Sequence, residues 1–190
     1  MRRKTPANSD RGTKLSGGAE LATISRPIPT TGKIFANGSV IELIGGGEDG
    51  TPKLMLWDGA KETVGPTVEF DGRRYEPAAI SESILRGLML PTRSRTHGTT
   101  RELLTQIREL VVKFVGTDYK SASLIGRFVL CSAIVDVLLL APALVIVGPD
   151  TARAHRLIAL LRCLCRRSVS LTGVTAAGFR SLATARDSRF

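Results

Sequence analysis

Gly148 and Pro149 follow the apolar run Ala143–Val147 and precede a helical stretch that starts near Thr151. A strand, a glycine turn and a helix N-terminus in that order form the setting in which backbone N–H groups hold a phosphate. The phosphate-loop motif G-x-x-x-x-G-K-[ST] adds a Lys for the β- and γ-phosphates and a hydroxyl for Mg²⁺. Counted from Gly148, this chain has Arg153 at the second Gly, Ala154 at the Lys and His155 at the hydroxyl. Asp150 puts a negative charge where a phosphate would sit. The frame is that of a nucleotide site, and the side chains are not.

Other reactive groups are scattered. His97 and His155 stand 58 positions apart, and neither has a second His, Cys or acid at ligand spacing. His97 reads as an exposed linker residue and His155 as a surface residue among arginines. Cys131, Cys163 and Cys165 are too few for a disulfide framework, and a lone C-x-C lacks a second ligand pair for zinc. They read as small apolar residues beside a helical core, and their free thiols suit a reducing cytoplasm. No nucleophile elbow or zinc-protease motif occurs. The sequence therefore assigns no catalytic, cofactor-binding or metal-ligating residue, and it implies no cofactor.

The net charge of +10 is unevenly spread. Residues 1–33 carry seven positive and two negative side chains, residues 34–90 five and nine, and residues 151–190 eight Arg and one Asp. Basic ends can meet nucleic acid or anionic lipid, and an Arg-rich helix can equally be a solvated face. If the C-terminal helix touches phosphates, Arg156, Arg162, Arg166 and Arg167 are the candidate contacts. With 5% aromatic residues there is little to stack on bases, so such binding would run through phosphates alone.

These residues need a scaffold, and the chain divides into three stretches. Residues 1–32 are polar, rich in Ser, Thr, Gly and Pro, and lack the apolar region of a signal peptide; they read as a disordered basic leader. Residues 33–90 read as a small antiparallel β unit with a short helix. Val40–Ile44 and Lys53–Trp57 are strands, and Asn37-Gly38 and Asp71-Gly72 are tight turns. Val68–Phe70 and Arg73–Tyr75 complete the unit, and Ser81 starts a helix that ends before Pro91. Gly45-Gly-Gly47 lies between two strands and reads as a hairpin connection. Residues 98–190 read as a helical, incomplete α/β segment. Thr99-x-x-Glu102 is a capping box, and Leu103, Leu104, Ile107, Leu110, Val111 and Phe114 fall on one face of the helix behind it. A second helix is expected over 121–139, a strand over 143–147, a third helix over 151–166, and a short one over 176–182 capped by Thr175. The fold class is α/β, or α+β overall.

Residues 128–147 contain one charge and are long enough to cross a bilayer. Asp136 near the centre and Pro142 near the end speak for a buried helix entering a strand instead. A membrane span is the alternative to a cytoplasmic protein.

Phe128-Val-Leu through Ala141-Pro-Ala-Leu-Val-Ile-Val-Gly-Pro149, with Leu157-Ile-Ala-Leu-Leu-Arg-Cys-Leu-Cys-Arg-Arg167 and Val174-Thr-Ala-Ala-Gly-Phe-Arg-Ser-Leu182, resembles bacterial P-loop ATPases of the helicase- or primase-associated kind. The likeness covers about residues 100–182. It implies a strand, phosphate loop and helix, followed in the family by a strand whose acids handle Mg²⁺ and water. Here only Gly148 of the signature is present, and after Asp150 the only acid is Asp187. The family's catalytic roles pass to no residue of this chain, which reads as a diverged, truncated relative or a fragment. The expectation is a non-catalytic protein, with a nucleic-acid-binding accessory as the alternative. An unpaired edge at 143–147 would favour self-association.

Overall fold

A computed structural model describes residues 26–46, 50–171, 173, 175–178 and 180. It has two small sheets followed by helices, an α/β fold of mixed strands. The first sheet has the order β2(Gly32–Ile34), β3(Val40–Ile44), β4(Lys53–Trp57) and β5(Glu62–Gly65), all antiparallel. The second has β1(Ile28–Thr30) beside β7(Arg73–Pro77), with β6(Val68–Phe70) on its other side. β6 and β7 are antiparallel, whereas β1 and β7 are parallel.

Turn chemistry sets the hairpins. Asp71 and Gly72 both take positive φ, the combination that turns a chain sharply between β6 and β7. At Asn37-Gly38 the Asn side chain accepts from the Ser39 N–H, and Gly38 takes positive φ. On β3 and β4, Ile41 sits opposite Leu56 and Leu43 opposite Leu54, so two apolar cross-strand pairs share one face. With Val68 and Tyr75 they form the buried β core, against which Ile28 and the Phe35 and Phe70 rings pack.

Composition places Ile28–Thr30 in the leader, yet these residues form β1. The short apolar Ile28 is enough to seat them when β7 offers a free edge, a long-range pairing that local polarity does not reveal. Gly32, also assigned to the leader, opens β2, and residues 1–25 of that leader lie outside the described residues.

Helix α1(Glu82–Gly87) starts after Ser81 as expected. Helix α2(Thr100–Val115) begins in the capping box: Glu102 N–H donates to Thr99 Oγ1 at 3.2 Å, and Thr99 N–H donates to Glu102 Oε2 at 2.8 Å. Its inward stripe is Ile107, Val111 and Val115, while Leu110 and Phe114 face solvent. The predicted face is thus rotated, because α3 and α4 both pack on the Ile107 side. Gly116 ends α2 in the left-handed conformation. Asp118 caps α3(Tyr119–Ala133), where Gly126 lets Leu104 approach so closely that an added Cβ would lie 2.9 Å from its Cδ1.

The predicted helix over 121–139 is corrected. It begins earlier, ends at Ala133 and passes into a single 3₁₀ turn, Val135–Val137. Among the described residues no helix is long and apolar enough to cross a membrane. The predicted strand over 143–147 is also corrected, since it joins neither sheet. Its neighbours are helices, which have no free backbone groups to offer along their sides. Helix α4(Thr151–Leu164) then inserts Leu157 into the helical core. Residues 176–178 and 180 are helical, and Thr175 Oγ1 accepts from Gly178 N–H at 3.1 Å; 181–182 lie outside the described residues.

Candidate functional site

The phosphate-loop position can be read atom by atom. Asp150 is the N-cap of α4, and its Oδ1 accepts from the Arg153 N–H at 2.8 Å. Its Oδ2 lies 3.4 Å from Arg153 Nε. A carboxylate of the chain itself therefore occupies the end of the helix where an anion would settle, and the Arg at the second-glycine position folds back to neutralise it. Ala154 is half-buried and His155 is exposed. Of the described residues that the motif aligns, Arg153 alone is engaged, and its partner is Asp150. His97 is exposed in the linker before α2.

The four candidate phosphate contacts separate. Arg156 is exposed on α4. Arg162 is half-buried, with its Nη2 3.4 Å from the Gly87 carbonyl. Arg166 and Arg167 turn inward, against the sequence expectation. Arg166 Nε donates to Glu42 Oε2 at 2.5 Å, and its Nη1 reaches Asp136 Oδ2 at 3.0 Å and the Ala133 carbonyl at 2.9 Å. Arg167 Nε donates to Glu42 Oε1 at 3.0 Å, and its Nη2 reaches Asp136 Oδ2 at 2.9 Å. Two guanidinium groups and two carboxylates make a neutral, mostly buried cluster between β3 and the end of α4. Burial pushes the Arg167 guanidinium down, but the Glu42 hydrogen bond and the Glu42 and Asp136 charges outweigh it and hold its pKa above the ordinary value.

Sequence patterning alone does not find this cluster, although a signal exists. Glu42 interrupts the strand Val40-Ile-Glu-Leu-Ile44, and alternation puts it on the face opposite Ile41 and Leu43. A carboxylate there, with apolar residues on either side, calls for a cationic partner from elsewhere. Gly32 makes room for it: a Cβ there would run into the Arg167 guanidinium and lie 2.9 Å from the Ile41 carbonyl oxygen.

Comparison with protein-family models, with curated proteins and with solved structures finds no match for this chain.

A shallow cleft of ≈ 180 Å³ lies between α4 and the segment that follows it, lined by Ile158, Leu161, Arg162, Cys165, Ser168 and Val169 among others. It is smaller than the roughly 300 Å³ at which small-molecule sites begin. Cys165 borders it, and burial pushes the thiol up, against a hydrogen bond from Ser132, so it stays protonated and a poor nucleophile. All three cysteines are free thiols. Among the described residues no three His, Cys, Asp or Glu side chains gather as a metal site would require.

One surface stands out beside these. From Leu139 to Val147 the chain is apolar and lies outside any helix or strand, and Leu139, Leu140, Val145 and Val147 are almost fully exposed. Leu144 alone packs on the helical core.

Proposed function

We propose that this chain is a non-catalytic protein built on a frame derived from P-loop ATPases of the helicase- or primase-associated kind, acting by binding rather than by nucleotide turnover. The observation that carries this reading is the Asp150 carboxylate seated on the α4 N-terminus, bonded to the Arg153 N–H at 2.8 Å. A tethered carboxylate acts at an effective concentration of millimolar or more, so a free phosphate must displace it as well as bind. No Lys stands nearby at the motif position to favour that exchange, since Ala154 occupies it. The same site would have no hydroxyl for Mg²⁺, because His155 holds that position. A reducing, cytoplasmic setting suits three free thiols.

The test is calorimetric titration with ATP, with and without Mg²⁺, beside an assay of phosphate release. The expected result is neither binding nor turnover. Release above the buffer background that disappears in Gly148→Ala would overturn the reading. The added methyl of that variant meets nothing within 4 Å, but Gly148 sits at φ 159°, so an unchanged circular dichroism spectrum is needed to separate lost activity from backbone strain.

A further inference from the structure

We infer that the segment Ala143–Val147 is a pairing edge for a second copy of this chain, joined antiparallel through the same five residues. The inference rests on the binding reading above and names the partner.

Exposure alternates along the segment as in a strand lying on a core. Leu144 packs on the helices and Ile146 is 39% exposed, while Val145 and Val147 stand 81% and 89% exposed. Among the described residues the amides from Leu139 to Gly148 donate no backbone hydrogen bond within the chain. Two needs therefore coincide, apolar side chains without cover and N–H and C=O groups without partners. A lipid surface meets only the first, because hydrocarbon leaves amides unsatisfied. A helix laid across the segment also covers side chains alone. A β-strand satisfies the backbone and sets apolar cross-strand neighbours beside Val145 and Val147.

The chain's own segment is the strand that fits. Val137–Pro149 is uncharged over thirteen residues, so self-pairing sets no like charges opposite each other even though the whole chain carries +10. With Val145 opposite its own copy, Leu144 faces Ile146 on the core side. Pro142 and Gly148 bound the ladder at both ends. Val145 and Val147 bring roughly 200 Å² of apolar surface per copy to the ladder at about 100 Å² per aliphatic side chain, and the exposed Leu139 and Leu140 precede it. Two copies thus stay below the ~1,000 Å² of a stable specific interface, so the pairing is a weak one that rising concentration drives.

The experiment uses the full chain and Val145→Lys/Val147→Lys. Both substitutions lie on the outward face, and they place four ammonium groups together at the pairing line. Sedimentation velocity from low to high micromolar concentration should show the wild-type mass doubling and the variant remaining a monomer with an unchanged circular dichroism spectrum. Amide exchange at 143–147 should slow with concentration in the wild type alone. A wild type that stays monomeric, including one that binds anionic vesicles as a monomer, overturns the inference. So does a dimer that forms without protection of 143–147 or that survives both lysines. None of these outcomes bears on nucleotide turnover, so this inference and the non-catalytic reading can fail separately.

Discussion

Replacing Glu42 by Gln removes one charge from the middle of the fold and almost no volume. In the wild type its side chain is 8% exposed, and the Arg166 and Arg167 side chains that it holds are 12% and 13% exposed. Without that carboxylate, two guanidinium groups remain beside one carboxylate, Asp136, whose side chain is 32% exposed. Breaking a buried pair by removing one partner costs roughly 3–5 kcal/mol. Asp136 keeps part of the compensation and the Gln amide keeps a hydrogen bond, so the expected loss is ~2–3 kcal/mol. Urea unfolding followed by circular dichroism should show the midpoint falling with an unchanged slope. The companion variant Glu42→Leu/Asp136→Asn/Arg166→Met/Arg167→Leu, which removes all four charges together, should recover most of the loss, because apolar groups of similar size often replace buried ions at little cost. A Glu42→Gln loss below ~0.5 kcal/mol, within the range of ordinary surface substitutions, would refute the cluster as a structural element.

Gly32→Ala should weaken the same junction by ~1–3 kcal/mol, since its methyl collides with the Arg167 guanidinium and crowds the Ile41 carbonyl; thermal unfolding measures this. Asp150→Ala should cost about 1 kcal/mol by uncapping α4. Asp150→Gly/Arg153→Gly/Ala154→Lys should acquire inorganic-phosphate binding in a calorimeter yet still release no phosphate from ATP. Thr99 and Ser121 hydrogen bonds hold the Glu102 and Asp118 carboxylates below their ordinary pKa. Their contribution is then complete above about pH 4–5 and is lost as pH falls through the lowered values. Glu102→Gln/Asp118→Asn should therefore flatten the acid side of the stability profile. Charge reversal of Arg166 and Arg167 should unfold the junction, and a low-salt DNA shift that responded only to Arg156→Glu would place any phosphate contact outside the cluster.

Local chemistry made much of the fold legible. The Asp71-Gly72 turn, the capping box at Thr99 and Glu102, and the strands Val40–Ile44 and Lys53–Trp57 each rest on contacts between near neighbours. What escaped depends on distant partners. β1 exists because β7 has a free edge, and the inward stripe of α2 is set by where α3 and α4 pack. The 143–147 run has the composition of a buried strand, but no described strand lies beside it, so its apolar character ends on the surface. The candidate site followed the same division. The departures of residues 148–155 from the phosphate-loop signature, and the charge of Asp150, are plain in the sequence. Its seat on the Arg153 N–H depends on the three-dimensional turn that opens α4. Arg166 and Arg167 looked like free cations because their counterions stand far away in sequence, at Glu42 and Asp136.

That distance has a kinetic meaning. Glu42 and Arg166 are 124 positions apart, so the cluster closes a loop that takes in most of the described chain. Closing such a loop is an entropic cost met before the contact returns anything, which places the junction late on the folding route. Contacts absent from the transition state govern how fast a protein comes apart and not how fast it assembles. The four charges act as a latch in time: Glu42→Gln should leave the refolding limb of the chevron where it is and raise the unfolding limb by nearly the whole equilibrium loss.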